Sequence, residues 1–121
     1  MAIGRLGAIA LDSDDAKMLG RFYRDLLDLE VVYESEELVA LKADGVFVTV
    51  ERVLDYRPPD WPGNAIPKQI HLDVFVDDLD EAEGAALAIG ARKPQTQPAP
   101  AKWRVLLDPS GHPFCLTIPA S

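Results

Sequence analysis

The chain has 121 residues, 48% of them hydrophobic and 26% charged, which is the balance of a single globular domain able to bury a core without disulfides. Twenty acidic residues against twelve basic ones leave a net charge of −8, which argues against nucleic acid and against an anionic membrane surface, both of which are gripped by Lys and Arg. The lone cysteine, Cys115, excludes an internal disulfide and the C-x-x-C zinc patterns. No apolar run approaches the roughly 20 residues of a membrane span. The N-terminal stretch lacks the apolar core and cleavage site of a signal peptide, so a cytoplasmic protein is expected.

An apolar run from Arg5 to Leu11 leads into Asp12-Ser13-Asp14-Asp15. There Ser13 or Asp12 is expected to cap a helix, with neighbouring acids suiting its dipole. Ala16, Leu19, Phe22, Tyr23, Leu26 and Leu27 recur at three- and four-residue steps and predict an amphipathic helix. Strand-like runs follow at Leu29 to Tyr33, Glu37 to Lys42 and Val46 to Val53, the last two joined by the tight-turn pair Asp44-Gly45. Residues 55–68, DYRPPDWPGNAIPK, show no period and carry several prolines, so they read as a connector. A Trp is unusual in a linker, and Trp61 is expected to pack or to line a pocket.

The plan then repeats. Gln69 to Val76 is strand-like, and Asp78 with Glu81 opens a second helix whose stripe is Leu79, Ala82, Ala85, Ala86 and Ile89, stopped by Gly90. Strands are predicted at Ala91 to Lys93, Trp103 to Leu107 and Pro113 to Ile118, with the turn Asp108-Pro109-Ser110-Gly111 before the last. Laying Gly7 over His71 gives an internal duplication at a spacing of about 64 residues, with one extra residue in the first copy before its Asp-Asp pair. The fold class expected is α+β: two tandem βαβββ modules, about 1–54 and 69–121, forming one domain over 1–121.

Strand alternation sorts the side chains by face. Ile70, Leu72, Val74 and Val76 form an apolar set, leaving His71, Asp73 and Phe75 opposite. Val46, Val48 and Val50 leave Phe47, Thr49 and Glu51 opposite, and Cys115 and Thr117 alternate with Phe114, Leu116 and Ile118. If the mixed faces look at each other, they line a cleft with the inventory of a binding site. The plain reading stands beside it, in which His71 and Asp73 are a structural pair, Glu51 is solvated and Cys115 is a small buried hydrophobe. His112 reads as a turn residue.

The segments HLDVFVDDLDEAEGAALAIGA, Trp103 to Leu107, and DPSGHPFCL together resemble the vicinal oxygen chelate superfamily, most closely its glyoxalase-like domain branch. The superfamily includes glyoxalase I, extradiol dioxygenases, fosfomycin resistance enzymes and bleomycin-binding proteins. The resemblance covers nearly the whole chain and implies a concave, barrel-like mixed sheet with helices outside. It also implies a homodimer and, in metal-dependent members, a divalent ion held by His, Gln or Glu from the first and fourth strands of each module. His71 stands at one ligand position and Glu51 is a match for a second. Gly7, Leu6 and Ala8 offer no donor in the first strand, and Cys115 stands where a Glu is usual, so the metal set is incomplete.

Two functions follow. The first is a protein without a metal cofactor, like the bleomycin-binding members, that binds a small organic ligand among Phe47, Thr49, Trp61, Phe75, Trp103 and Cys115. The aromatic rings would stack on a flat ligand, and the net charge would draw a cationic one. The second is a divalent-metal-dependent lyase, isomerase or dioxygenase with His71 as anchor ligand and Glu51 or Asp73 as base. A third arrangement is metal-free acid/base catalysis by His71 and Asp73. Two steps along a strand put them roughly 6.5–7 Å apart, flanking a substrate rather than touching. Catalytic candidates are therefore His71, Asp73 and Glu51, and whether the chain is an enzyme stays open at this point.

Overall fold

The computed structural model describes residues 2–119 and divides into two compact units, Met1–Tyr56 and Arg57–Ser121. Among the described residues there are seven strands in two mixed sheets and two helices, with no closed barrel. No helix there is long and apolar enough to cross a membrane.

The first unit runs β1 (Ala8–Ser13), α1 (Ala16–Leu27), β2 (Glu30–Glu34), β3 (Leu38–Lys42) and β4 (Phe47–Arg52). Its sheet order is β1-β4-β3-β2, with β1 and β4 parallel and the other pairs antiparallel. The apolar stripe of α1 buries Ala16, Leu19, Phe22 and Tyr23 over Val39, Leu41, Val48 and Val50 of the sheet. The rings of Phe22 and Tyr23 meet edge to face, 5.0 Å between centroids. Gly20 lets the helix sit close to the sheet, because a Cβ there would come within 2.7 Å of Val39 Cγ1.

Neither Ser13 nor Asp12 caps this helix. Asp15 does, its carboxylate accepting from the Met18 amide at 3.1 Å. Ser13 is the buried last residue of β1, and its hydroxyl accepts from the Asp15 amide at 2.9 Å, spending itself on the turn that delivers the true cap.

The second unit runs β5 (Leu72–Phe75), α2 (Leu79–Ala88), β6 (Trp103–Leu107) and β7 (Pro113–Thr117). The order β5-β7-β6, with β5 parallel to β7, repeats the first sheet's first, last and third strands. Asp78 caps α2 through the Glu81 amide at 3.0 Å, and Gly90 adopts a φ of 119° just past the helix. The buried stripe of α2 is narrower than predicted: Leu79 and Ala86 are buried, whereas Ala85 and Ile89 are exposed.

Two predicted strands shrink. Ala91 to Lys93 survives only as a bridge between Arg92 and Leu107, because Gly90 and Pro94 leave too little chain between them. The rest of that edge is completed by the Gln97 side chain, whose amide accepts from Val105 N at 2.9 Å and donates to Val105 O at 2.8 Å as a strand would. The strand predicted from Gln69 begins only at Leu72, opposite Phe114; the residue before Phe114 is Pro113, which has no N–H to extend the ladder.

The β6–β7 turn is closed by buried Asp108, whose Oδ1 accepts from the amides of Ser110 at 2.9 Å and His112 at 3.0 Å. Gly111 in this turn has a φ of 92°, and a Cβ on it would meet Pro58 Cβ at 2.7 Å. The proline-rich connector thus lies against the turn of the second unit, with which it groups.

The duplication is real but its offset is one residue smaller than expected. The two cap residues, Asp15 and Asp78, are 63 apart, and the alternation of burial in β1 and β5 agrees at that offset with no inserted residue. Ala8, not Gly7, therefore stands at the place of His71, and Ala10 at the place of Asp73.

Candidate functional site

β5 and β7 form the floor of the site. Their parallel ladder pairs Asp73 with Cys115 and Phe75 with Thr117, while Leu72 and Val74 pair with Phe114 and Leu116 on the core face. One face is thus sealed under α2 and the other carries His71, Asp73, Cys115 and Thr117. β6 adds Trp103 and Val105 to that open face through its antiparallel pairing with Thr117 and Cys115. The connector brings Trp61 and Lys68, and together with Pro98 and Pro113 these side chains line an open cavity of about 370 Å³.

At the polar end His71 Nε2 lies 3.2 Å from Asp73 Oδ1. The expectation that these two flank a ligand without touching is wrong. The strand rise separates their Cα atoms, but the long imidazole leans along the strand and closes the gap. Lys68 Nζ is 3.4 Å from His71 Nδ1. An ammonium only donates, so Nδ1 accepts and the ring's proton sits on Nε2, aimed at Asp73. Both partners of the His71–Asp73 contact are substantially exposed, so the pair adds little to the stability of the fold.

Burial pushes the Cys115 thiol up from the ordinary value of 9.0, and the negative charge of Asp73 and a hydrogen bond to it push in the same direction. Lys68 opposes the shift. Cys115 is therefore a protonated thiol at neutral pH, which is the wrong state for a resting nucleophile. Donor atoms of His71, Asp73 and Cys115 all lie within 4.8 Å of one another.

The other sequence-predicted residues are placed differently. Phe75 shares the face of Asp73 but is 70% exposed and outside the cavity wall. Phe47, Thr49 and Glu51 stand on the open face of β4 in the first unit, where Glu51 pairs with Asp12 and Thr49 with Ala10. Sequence reasoning missed Lys68, Pro98, Val105 and Pro113 as cavity residues. The signal available for Lys68 was its position three residues before His71 at the connector's end.

The repeated modules, each with a parallel pairing of first and last strands, define the vicinal oxygen chelate class. Residues 8–117 match the glyoxalase-like domain family, and the chain belongs to that family. No curated protein sequence matches it significantly. A glyoxalase/bleomycin resistance protein/dioxygenase family enzyme from Burkholderia phytofirmans superposes with a TM-score of 0.71 at 16% identity, covering 95% of this chain and 98% of the other. A fosfomycin resistance protein from Mesorhizobium loti does so with a TM-score of 0.71 at 16% identity, covering 99% and 94%. Lactoylglutathione lyase from Agrobacterium tumefaciens gives a TM-score of 0.63 at 22% identity, covering 98% and 96%. Identities this low show the fold.

The divalent-metal set that this class uses does not fit the residues present. At the duplication offset Ala8 and Ala10 replace His71 and Asp73, and the ladder partner of Ala10 is Thr49, so Thr49 rather than Glu51 occupies the place of Cys115. Glu51 corresponds instead to Thr117. The first module therefore offers no donor where the second has its imidazole.

Proposed function

We propose that this glyoxalase-like protein binds a small organic ligand in the cavity of its second unit. One observation carries the reading: about 370 Å³ of space with indoles from Trp61 and Trp103 on its wall and a few polar groups gathered at His71, Asp73 and Lys68. That volume and that mixture of broad apolar wall with few polar groups suit a small-molecule site. The rings would take up a flat, apolar part of the ligand and the His71–Asp73 pair its polar end. The net charge of −8 favours approach of a cation, but the wall itself holds Lys68 as well as Asp73, so a ligand with a group of each sign fits better than a simple cation. A cytoplasmic homodimer is part of the same reading, and the exposed Phe75 and Ile70 supply apolar surface for a second copy.

The test is tryptophan fluorescence of the whole protein titrated with planar aromatic acids, aromatic amines and a cationic glycopeptide. Saturable quenching that weakens in both Trp61→Phe and Trp103→Phe is expected. No saturable response to any of the panel overturns the proposal. Sedimentation of wild type against Phe75→Glu tests the dimer.

The grouping of His71, Asp73 and Cys115 favours a second reading, a divalent-metal-dependent lyase, isomerase or dioxygenase with Asp73 as base. Turnover of a vicinal-oxygen substrate that depends on added metal and on His71 supports it; metal-independent inactivity across such substrates removes it.

A further inference from the structure

We propose that the ligand of the second unit's cavity is a free aromatic α-amino acid, held by both of its charges at once. Its carboxylate lies on the Lys68 ammonium, its amino group on the Asp73 carboxylate, and its ring against the indoles of Trp61 and Trp103. This rests on the organic-ligand reading of the cavity and narrows it to one chemical class.

The cavity wall carries one ammonium and one carboxylate that do not neutralise each other. His71 stands between them, with Nδ1 3.4 Å from Lys68 Nζ and Nε2 3.2 Å from Asp73 Oδ1. An imidazole that accepts at one nitrogen and donates at the other is neutral, so it spaces the two charges without cancelling either. A singly charged ligand matches one of them and leaves the other unmatched, whereas a zwitterion meets both. The spacing suits an α-amino acid. The two wall charges are separated by one imidazole and a contact at each of its ends, and a bridging ligand also spends a hydrogen-bond length at each end. What remains for the ligand is about the width of the imidazole between its nitrogens, close to the spacing of an amino nitrogen and a carboxylate oxygen borne by one carbon. A peptide terminus offers only one of those charges, so the amino acid is free.

Strand register places the apolar end at a matching remove. Asp73, Cys115 and Val105 form one row across β5, β7 and β6, and Thr117 and Trp103 stand in the next row, on the side away from His71. Such rows are roughly 6.5–7 Å apart, two residues along a strand, which is about the reach of a benzyl or indolylmethyl group from its α-carbon. Trp61 shares that cavity and gives the ring a second aromatic surface. The volume of about 370 Å³ lies near the low end of ligand pockets, roughly 300–1,000 Å³, and so fits a molecule of amino-acid size rather than a glycopeptide.

The test is calorimetric titration of the whole chain with L- and D-phenylalanine, 3-phenylpropionate, phenethylamine and L-alanine, the last three lacking the amino group, the carboxylate and the ring in turn. The better phenylalanine enantiomer is expected to bind at one equivalent per chain, and each truncated probe at least about tenfold more weakly. Lys68→Met is expected to weaken phenylalanine about tenfold and to bind phenethylamine no more weakly than wild type does. Asp73→Asn is expected to do the same to phenylalanine while sparing 3-phenylpropionate. A merely structural role for either residue would weaken every probe alike. Far-ultraviolet circular dichroism and a cooperative melt establish that both variants are folded. Equal affinity for phenylalanine and either singly charged probe, or a Lys68→Met loss shared by phenethylamine, overturns the proposal. If neither phenylalanine enantiomer binds while planar aromatics still quench tryptophan fluorescence, the amino acid falls and the cavity reading stands. Silence in both experiments overturns both.

Discussion

Asp73 and Cys115 are partners across the parallel ladder of β5 and β7, so a carboxylate and a thiol point from neighbouring strands to the same face. Burial in the wall raises the thiol's pKa most, and this adjacency adds to it, since a thiolate there would face the Asp73 charge.

The rate of Cys115 alkylation by iodoacetamide therefore rises at a higher pH than for an exposed cysteine. Asp73→Asn removes the repulsion, so it lowers the midpoint and speeds alkylation at a fixed pH, whereas Lys68→Met removes an attraction and slows it. The sign for stability follows. A thiol held above 9.0 in the fold gives its full contribution below that value and loses it as the pH climbs through the folded pKa, since the unfolded chain ionises first. Urea melts of wild type and Cys115→Ser across that range measure the difference.

Gly20→Ala is expected to destabilise the protein by about 1–2 kcal/mol. An alanine favours a helix over glycine by about 1 kcal/mol. Here its methyl would lie 2.7 Å from Val39 Cγ1 and 3.0 Å from its Cβ, in a buried branched side chain that cannot turn away. Val39→Ala in the same chain is expected to recover part of the loss, read as a coupling between the two substitutions in denaturant titrations.

Gly111→Ala combines a positive φ of 92° with a contact of 2.7 Å to Pro58. A loss of about 2 kcal/mol or more is expected. The substitution should also push the connector off the β6–β7 turn and so alter the fluorescence of Trp61, which the same connector carries. A melt and an emission spectrum check both.

The caps are expected to contribute about 1 kcal/mol each, so Asp15→Ala and Asp78→Ala should lower the urea midpoint by similar amounts. Asp14→Ala should not, because Asp14 is exposed and Asp15, not Asp14, receives the Met18 amide. Comparing the three variants separates capping from general loss of acidic charge near the helix.

Much of the fold is legible in local pattern. The α1 stripe from Ala16, the strand Trp103–Leu107 and the hairpin at Asp44-Gly45 appear where periodicity and turn chemistry put them, Gly45 with a φ of 78°. The alternation of β5 and β7 also separates the core face from the open face correctly. The misses share a cause, competition between local signals. Ser13 and Asp15 are both competent caps, and only the length of β1, set by its ladder to β4, leaves Ser13 inside the strand. The offset of the duplication went astray for the same reason, since Gly7 and Ala8 look alike as small residues until burial fixes which of them faces His71's way.

The sequence by itself determined that there are two βαβββ-type modules, which residues share a strand face, and that the first module's opening strand carries no imidazole. These are properties of neighbours along the chain, where periods of 3.6 and 2 act over a few residues. Only the tertiary structure decided that Asp73 meets Cys115, that Lys68 returns to His71 Nδ1, and that Trp61 and Trp103 share one wall. Such meetings depend on strand register and on the path of an aperiodic connector. Both are fixed by long-range packing and leave no periodic trace in the chain.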